Sequence, residues 1–246
     1  MATVVAITDR DEWWGPTDNV VVADPASRTL TWVPRDLWCS GLLHRINTAF
    51  AWEGHRGLRR ALGEHGLPVD HSVVVRRDAS ERALEGTRVT VPVLAEIRLW
   101  YPARRGVDTE VARKEVVFSP PAETLAGERI HQWAGGRFGV DRTLTDLDRI
   151  ERQQVLVRAL LESGFDFAAV TRDRERISLS GEAALEELGR VDAGWTFSTF
   201  DRLEPRTVAG LSVLVNPSES RPTPARRIRA RLRQARRRAR RFARAQ

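Results

Sequence analysis

Six short runs of aliphatic and β-branched residues, at 3–7, 19–23, 29–33, 72–75, 87–93 and 115–118, constrain the fold of this chain most tightly. Each is too short for a stable helix and each is bounded by turn-forming residues, so they read as strands. Helical spacing fills the gaps. Residues 42–52 and 56–65 carry it, with Leu58, Ala61, Leu62 and His65 on one face and Gly66-Leu67-Pro68 as the stop. A further helix starts at Thr145, where Asp148 three residues on completes a capping box. Its apolar face runs through Leu147, Ile150, Gln154, Val157 and Leu161 to about Glu162, which places Arg149, Arg152 and Arg158 on the surface. A helix at 181–188, closed by Gly189, precedes a last strand at 207–215. Strands interleaved with helices predict an α/β layered domain.

Three segments follow from composition. Residues 1–216 are expected to form the folded domain, 217–225 a Pro/Ser linker and 226–246 an arginine-rich tail. The chain carries 40 basic and 33 acidic residues, but twelve of its arginines, and no acid, lie in 221–246. The body is left with 28 basic against 33 acidic residues, so the positive charge belongs to the tail and speaks against a nucleic-acid partner for the body. In the tail, Ile228, Leu232, Ala235, Ala239 and Phe242 recur at helical spacing among arginines. A helix there is basic and amphipathic, the pattern that binds anionic membrane surfaces. A solvated tail and a nucleic-acid arm are the other readings of the same residues.

Cys39 is the only cysteine, which excludes an internal disulfide and a multi-cysteine zinc site, and the five histidines lack metal-ligand spacing. No positioned histidine is evident beside Cys39, and no Gly-x-Ser-x-Gly nucleophile elbow is present. No run approaches 18 apolar residues, and the first residues show neither a basic segment nor a long apolar one. As written, the chain is expected in the cytoplasm, held peripherally at the membrane by its tail.

The chemistry-bearing residues fall in three places. The acidic loop from Asp9 to Asp18 follows the first strand, where α/β sheets bind ligands, and its carboxylates suit Mg²⁺ held together with substrate phosphates. A solvated surface turn has the same composition. Val33-Pro34-Arg35-Asp36 ends a strand in an arginine fork able to chelate phosphate beside a carboxylate, or in a plain ion pair. Trp133 to Gly139 contains Arg137, and Arg149 lies near a helix N-terminus where backbone N–H groups hold anions.

Taken in order, these segments resemble the LytR-CpsA-Psr family of bacterial envelope phosphotransferases. Thr17-Asp18-Asn19-Val20-Val21-Val22 is similar to the family's Ser-Asp-Thr strand, Val33-Pro34-Arg35-Asp36 to its Ile-Pro-Arg-Asp, and Arg45-Ile46-Asn47-Thr48-Ala49-Phe50 to its Lys-Ile-Asn-x-Ala-Tyr. Gly66 to His71 resembles its Gly-Ile-Pro-Ile-Asp-His step. Leu125 to Glu128, Trp133 to Gly139 and Asp146 to Gln154 follow its later motifs. The resemblance implies an α-β-α fold around a mixed central sheet, with a hydrophobic pocket for a polyprenyl chain. It also implies transfer of a glycopolymer from a polyprenyl-pyrophosphate carrier to a sugar hydroxyl, or cleavage of the pyrophosphate. By the same resemblance Asp9 and Asp18 are magnesium-linked acids, Asp36 is the acid of the Pro-Arg-Asp motif, and Arg10, Arg35, Arg137 and Arg149 hold the pyrophosphate. Pro16 and Gly135 stand where the family has arginines, and the Asp9-to-Asp18 loop is shorter. These departures support an alternative, a catalytically degenerate module that binds a polyprenyl phosphate or phosphorylated glycan. The family works outside the cytoplasmic membrane from an N-terminal anchor, so an extracytoplasmic place is expected if an anchor lies upstream.

Overall fold

A computed structural model describes residues 1–9, 11, 13, 15–104, 110–136, 138–141, 144–200, 202–208 and 210–217. Arg10 and Arg137 lie outside the described residues, as does the tail. The first half of the chain forms β1 (Thr3–Thr8), β2 (Thr17–Asp24), β3 (Thr29–Trp32), β4 (Trp38–Cys39), β5 (His44–Arg45), α1 (Ala49–Glu64), β6 (His71–Val75), α2 (Arg77–Ala83), β7 (Arg88–Pro92), β8 (Ile97–Pro102) and β9 (Arg113–Phe118). Then come β10 (Ala122–Ala126), α3 (Glu128–Gly135), β11 (Phe138–Gly139), α4 (Asp146–Glu162), β12 (Ile177–Leu179), α5 (Ala183–Leu188), β13 (Thr196–Thr199), β14 (Glu204–Val208) and β15 (Leu211–Val215). These elements gather into two compact units. One is Met1–Ser80 with the described part of Phe167–Gln246, and the other is Glu81–Asp166.

The first unit is built on a mixed six-stranded sheet ordered β12-β6-β1-β2-β3-β13. β1 lies at its centre, parallel to β6 and antiparallel to β2. Strand residues alternate between the two faces. Val4, Ala6, Val20, Val22 and Val74 pack with Phe50, Leu58, Ala61 and Leu62 of α1. In the opposite phase Thr3 donates its hydroxyl to Glu187 of α5, so helices cover both faces. Burying those five residues of β1, β2 and β6, together with α1's apolar stripe, supplies the main drive for folding this unit, at about 25 cal/mol per Å² of apolar surface.

In the second unit β7 pairs with β10, β8 lies between β9 and β11, and α3 packs on α4. The capping box forms as expected. The Thr145 hydroxyl accepts from the Asp148 N–H, and the Asp148 carboxylate accepts from the Thr145 N–H at 2.7 Å.

Three expectations need correction. Residues 42–45 are not helical and 46–48 are not α-helical: β4 and β5 close a tight hairpin in which Leu43 takes a positive φ of 56°, and a 3-10 turn at Ile46–Thr48 then leads into α1. The last strand is two. Gly210, at φ 81°, reverses the chain and folds 204–215 into the β14–β15 hairpin, where only a glycine adopts the turn at no steric cost. Arg149 and Arg152 are not on the surface but buried, at 2% and 5% exposure, because the inward face of α4 runs through Arg149, Ile150, Gln153, Leu156 and Leu160.

Candidate functional site

In the first unit the candidate residues assemble at the carboxyl end of β1. Asp9 follows β1 directly, and its N–H donates to the Pro16 carbonyl at 2.8 Å, closing the acidic loop. Asp18 owes its placement to a β-bulge. Thr8 pairs with Thr17 and Ile7 with Asn19, so Asp18 is the extra residue of β2. A bulge of this kind re-aims a side chain at a sheet end, where it serves binding. Arg35 leaves β3 after the Val33-Pro34 step, with its carbonyl accepting from the Asn47 N–H at 3.2 Å.

Arg35 is the centre of this half-site. It is 6% exposed, and its guanidinium donates to Asp18, with Asp9 Oδ2 at 3.7 Å and Asp36 Oδ1 at 3.9 Å. Asp9, Asp18, Arg35 and Asp36 are thus brought together in one cluster. A charge left alone at such burial is costly, and the three carboxylates offset it. Arg45 completes the arrangement with Nη1 at 3.1 Å from Asp36 Oδ1, while its Nε and Nη2 donate to the Ser212 carbonyl of β15 at 2.9 and 2.5 Å. The Leu214 N–H donates to the Asp36 carbonyl at 2.9 Å, so the C-terminal hairpin holds the Arg35-Asp36 segment from outside. No local pattern in the sequence links 45 to 212.

A second group missed by the sequence reading lies beside Asp9. β6 ends next to β1 and delivers Arg76 and Arg77. The Arg77 N–H donates to the Thr8 hydroxyl at 3.2 Å, and its Nη1 lies 3.5 Å from the Asp9 carbonyl oxygen. Asp78 receives Arg76 at 3.0 Å and Arg176 at 2.8 Å. Its hydrogen bond, with that of Asp173, raises the pKa of Arg176.

In the second unit Arg149 bonds Asp146 at 2.5 Å, and both are buried. Arg152 and Gln153, which fall in the same motif, serve α3. Arg152 donates to the carbonyls of Trp133 at 3.1 Å and of Gly136, and Gln153 to that of Ala134 at 2.9 Å. They satisfy carbonyls that the end of a helix leaves without partners.

Among the described residues no group of three or more His, Cys, Asp or Glu is placed to hold a metal ion. Asp9 and Asp18 offer two hard carboxylates around one guanidinium, a donor set that fits Mg²⁺, which takes one or two protein carboxylates and completes its shell with water and phosphate. Cys39, fully buried, does have a histidine: His65 Nε2 lies 3.4 Å from its Sγ, because α1 runs back to the β4 hairpin. Among the described residues no helix is long and apolar enough to cross a membrane.

A mixed sheet flanked by helices, with acids gathered around a buried arginine at the carboxyl end of its central strand, defines the class, a mixed α/β protein. Comparison with solved structures gives the fold its name. TagT bound to LIIa-WTA matches with a TM-score of 0.60 at 16% identity, over 96% of this chain and 89% of that one. Bacillus subtilis TagV matches at 0.56 and 16%, over 96% and 95%. The Streptococcus agalactiae protein gbs0355 matches at 0.62 and 14%, over 87% and 81%. This chain shares the fold of these structures, the LytR-CpsA-Psr fold that the sequence resemblance implies. No family model and no curated protein matches the sequence.

Proposed function

We propose that this chain is a glycopolymer phosphotransferase acting on a polyprenyl-pyrophosphate-linked glycan. The observation that carries this reading is the buried Arg35 between Asp9 and Asp18 at the carboxyl end of the central strand, in a fold shared with TagT and TagV. Phosphoryl transfer asks a protein chiefly for charge neutralisation and in-line placement, and these residue types supply both. Arg35 binds a pyrophosphate oxygen through its fork, and one of Asp9 and Asp18 takes the proton of the acceptor hydroxyl. Arg10, Arg137 and Arg149 are proposed as further phosphate ligands. Mg²⁺, held by Asp9 and Asp18, would supply neutralisation of the charge that develops on the phosphates.

The test is binding and magnesium-dependent cleavage of a short-chain polyprenyl pyrophosphate by the wild type, Arg35→Ala and Arg149→Ala. Loss of cleavage and weakened binding in both variants is expected; unchanged binding in both overturns the assignment. Pro16 and Gly135, where the family carries arginines, favour a second reading as a binding module without turnover. Binding with no product at any magnesium concentration selects it. Residues 226–244 are proposed to hold the protein at an anionic membrane surface. Flotation with anionic liposomes that survives deletion of that segment contradicts this.

A further inference from the structure

We infer that the outer face of the β11-β8-β9 sheet is a saccharide-binding face, where Phe138 stacks against a pyranose ring and Arg113, Glu115 and Asp141 bond its hydroxyls. This site lies wholly within the second unit and goes beyond the pyrophosphate chemistry proposed for Arg35. The two faces of the sheet differ. Leu99, Val116 and Phe118 are buried on one side, and Arg98, Trp100, Arg113, Glu115 and Val117 alternate with them on the other. Phe138 stands opposite Trp100 in the register, so it belongs to this outer set. Single exposed apolar residues are common, but here Phe138, at 49% exposure, and Val117, at 36%, lie on either side of the half-buried Trp100 in one patch.

The polar groups around these rings are held in place. Arg113 brings its Cζ to 4.4 Å from the centroid of the Trp100 ring and has no hydrogen bond or ion pair to a described residue. Its N–H donors are therefore steadied by stacking and still unspent, so little freedom is lost when they bind. Arg98 donates from Nε to Glu115 at 2.6 Å and from Nη1 to Asp141 at 3.1 and 3.3 Å, so one guanidinium fixes two carboxylates. Both carboxylates keep lone pairs for further donors. The face thus sets an apolar ring, donors and acceptors side by side.

That combination selects the ligand. A phosphate or a nucleic acid would use the Arg113 donors but meet Glu115 and Asp141 as like charges, and a cationic ligand would meet two arginines. The core of a protein interface is depleted in charged side chains, whereas Arg98, Arg113, Glu115 and Asp141 are all charged. An uncharged sugar fits every feature. Its C–H groups face the negative surface of an aromatic ring, and each hydroxyl both donates and accepts.

The experiment titrates the full chain by calorimetry with N-acetylchitotetraose, cellotetraose and mannotetraose, and separately with inorganic pyrophosphate in the presence of Mg²⁺. The proteins are the wild type, Phe138→Ala, Phe138→Tyr, Arg113→Gln and, as a control for loss of an exposed apolar side chain, Val111→Ser before β9. At least one tetrasaccharide is expected to bind, with Kd raised about tenfold in Phe138→Ala and about fivefold in Arg113→Gln, restored in Phe138→Tyr and unchanged in Val111→Ser. Should Phe138→Ala not fold, Arg113→Gln on the exposed strand β9 decides, and wild-type affinity there overturns the inference. No binding of any tetrasaccharide, or binding that neither variant weakens, overturns it as well. Pyrophosphate affinity that falls in Arg113→Gln while no sugar binds gives the face to anions, and self-association lost in Phe138→Ala while no sugar binds gives it to a protein partner; either result overturns it. Sugar binding through this face with no affinity for pyrophosphate keeps the inference and removes the proposed transfer reaction.

Discussion

Trp133 and Arg152 exchange hydrogen bonds across two helices, the indole Nε1 donating to the Arg152 carbonyl at 2.7 Å and the Arg152 Nε donating to the Trp133 carbonyl at 3.1 Å. The exchange does more than join α3 to α4. It closes the end of α3, whose last carbonyls would otherwise be buried without donors, and it seats the Trp133 ring edge-on against Phe118 at 5.0 Å. Arg152→Leu keeps much of the bulk and removes every donor, leaving the Trp133 and Gly136 carbonyls unsatisfied. Denaturant unfolding is expected to show a loss of about 2–4 kcal/mol, with Trp133→Phe costing about 1–2. A loss under half a kcal/mol for Arg152→Leu contradicts this account.

Gly136 makes a separate demand. A Cβ there would stand 2.4 Å from Leu99 Cδ1 and 2.9 Å from the Gln132 carbonyl oxygen. Gly136→Ala is therefore expected to destabilise by about 1–3 kcal/mol, a typical cost of overpacking. Adding Leu99→Ala opens the space, so the double variant should lose less than the sum of the two single ones. Strict additivity would show that Leu99 is not the obstacle.

His55 links α1 to two strands, with Nδ1 2.7 Å from the Ser72 hydroxyl and Nε2 2.8 Å from that of Ser178. Burial, and then the charge of Arg59, lowers its pKa below the ordinary 6.5. The unfolded chain thus takes up a proton that the folded one resists. This contribution is complete above pH 6.5 and is lost as the pH falls from there through the folded-state value. His55→Gln should flatten the decline in stability between pH 6.5 and 5 relative to wild type. Parallel curves for the two proteins would rule the linkage out.

Much of this was legible in the sequence, and the reasons are local. The β-branched runs marked β1, β2, β3 and β6 of the central sheet, because alternation reports on nearest neighbours, while its edge strands β12 and β13 carried no such run; the Thr145–Asp148 box lies within one helical turn. Asp9, Asp18, Arg35 and Asp36 could be singled out because each lies beside a strand end, Asp9 and Arg35-Asp36 just after one and Asp18 just before the 19–23 run. What escaped depends on distance. Arg45 meets Ser212 across 167 positions, and Arg77 meets Thr8 across 69. The split of 207–215 was missed because the apolar residues on either side of Gly210 read as one run, and only its positive φ marks the turn. Arg149 and Arg152 were put outside because charge argues for exposure unless the partner is known, and here the partners are Asp146 and three carbonyls.

The Arg45 arrangement gives a fourth prediction. Arg45→Met removes both donors to the Ser212 carbonyl and the partner of Asp36, and should loosen the hairpin locally without unfolding the sheet. Amide exchange at Leu214 is expected to accelerate about tenfold, corresponding to about 1.4 kcal/mol, with exchange at Val5 and Val74 unchanged. Uniform acceleration at all three would mean that Arg45 acts on global stability.

The bulge at Asp18 separates two histories within one strand. Thr17 faces inward with Thr8, and Val20 and Val22 face inward three and five residues on, an odd interval that a regular strand would not allow. Parity is reset at the one position that carries the acid. A change in length between residues 9 and 16 therefore meets a fixed frame at Thr17, and the buried pairs of β1 and β2 keep their partners. Such a boundary lets the acidic turn shorten or lengthen over evolutionary time while the core beneath it keeps its register.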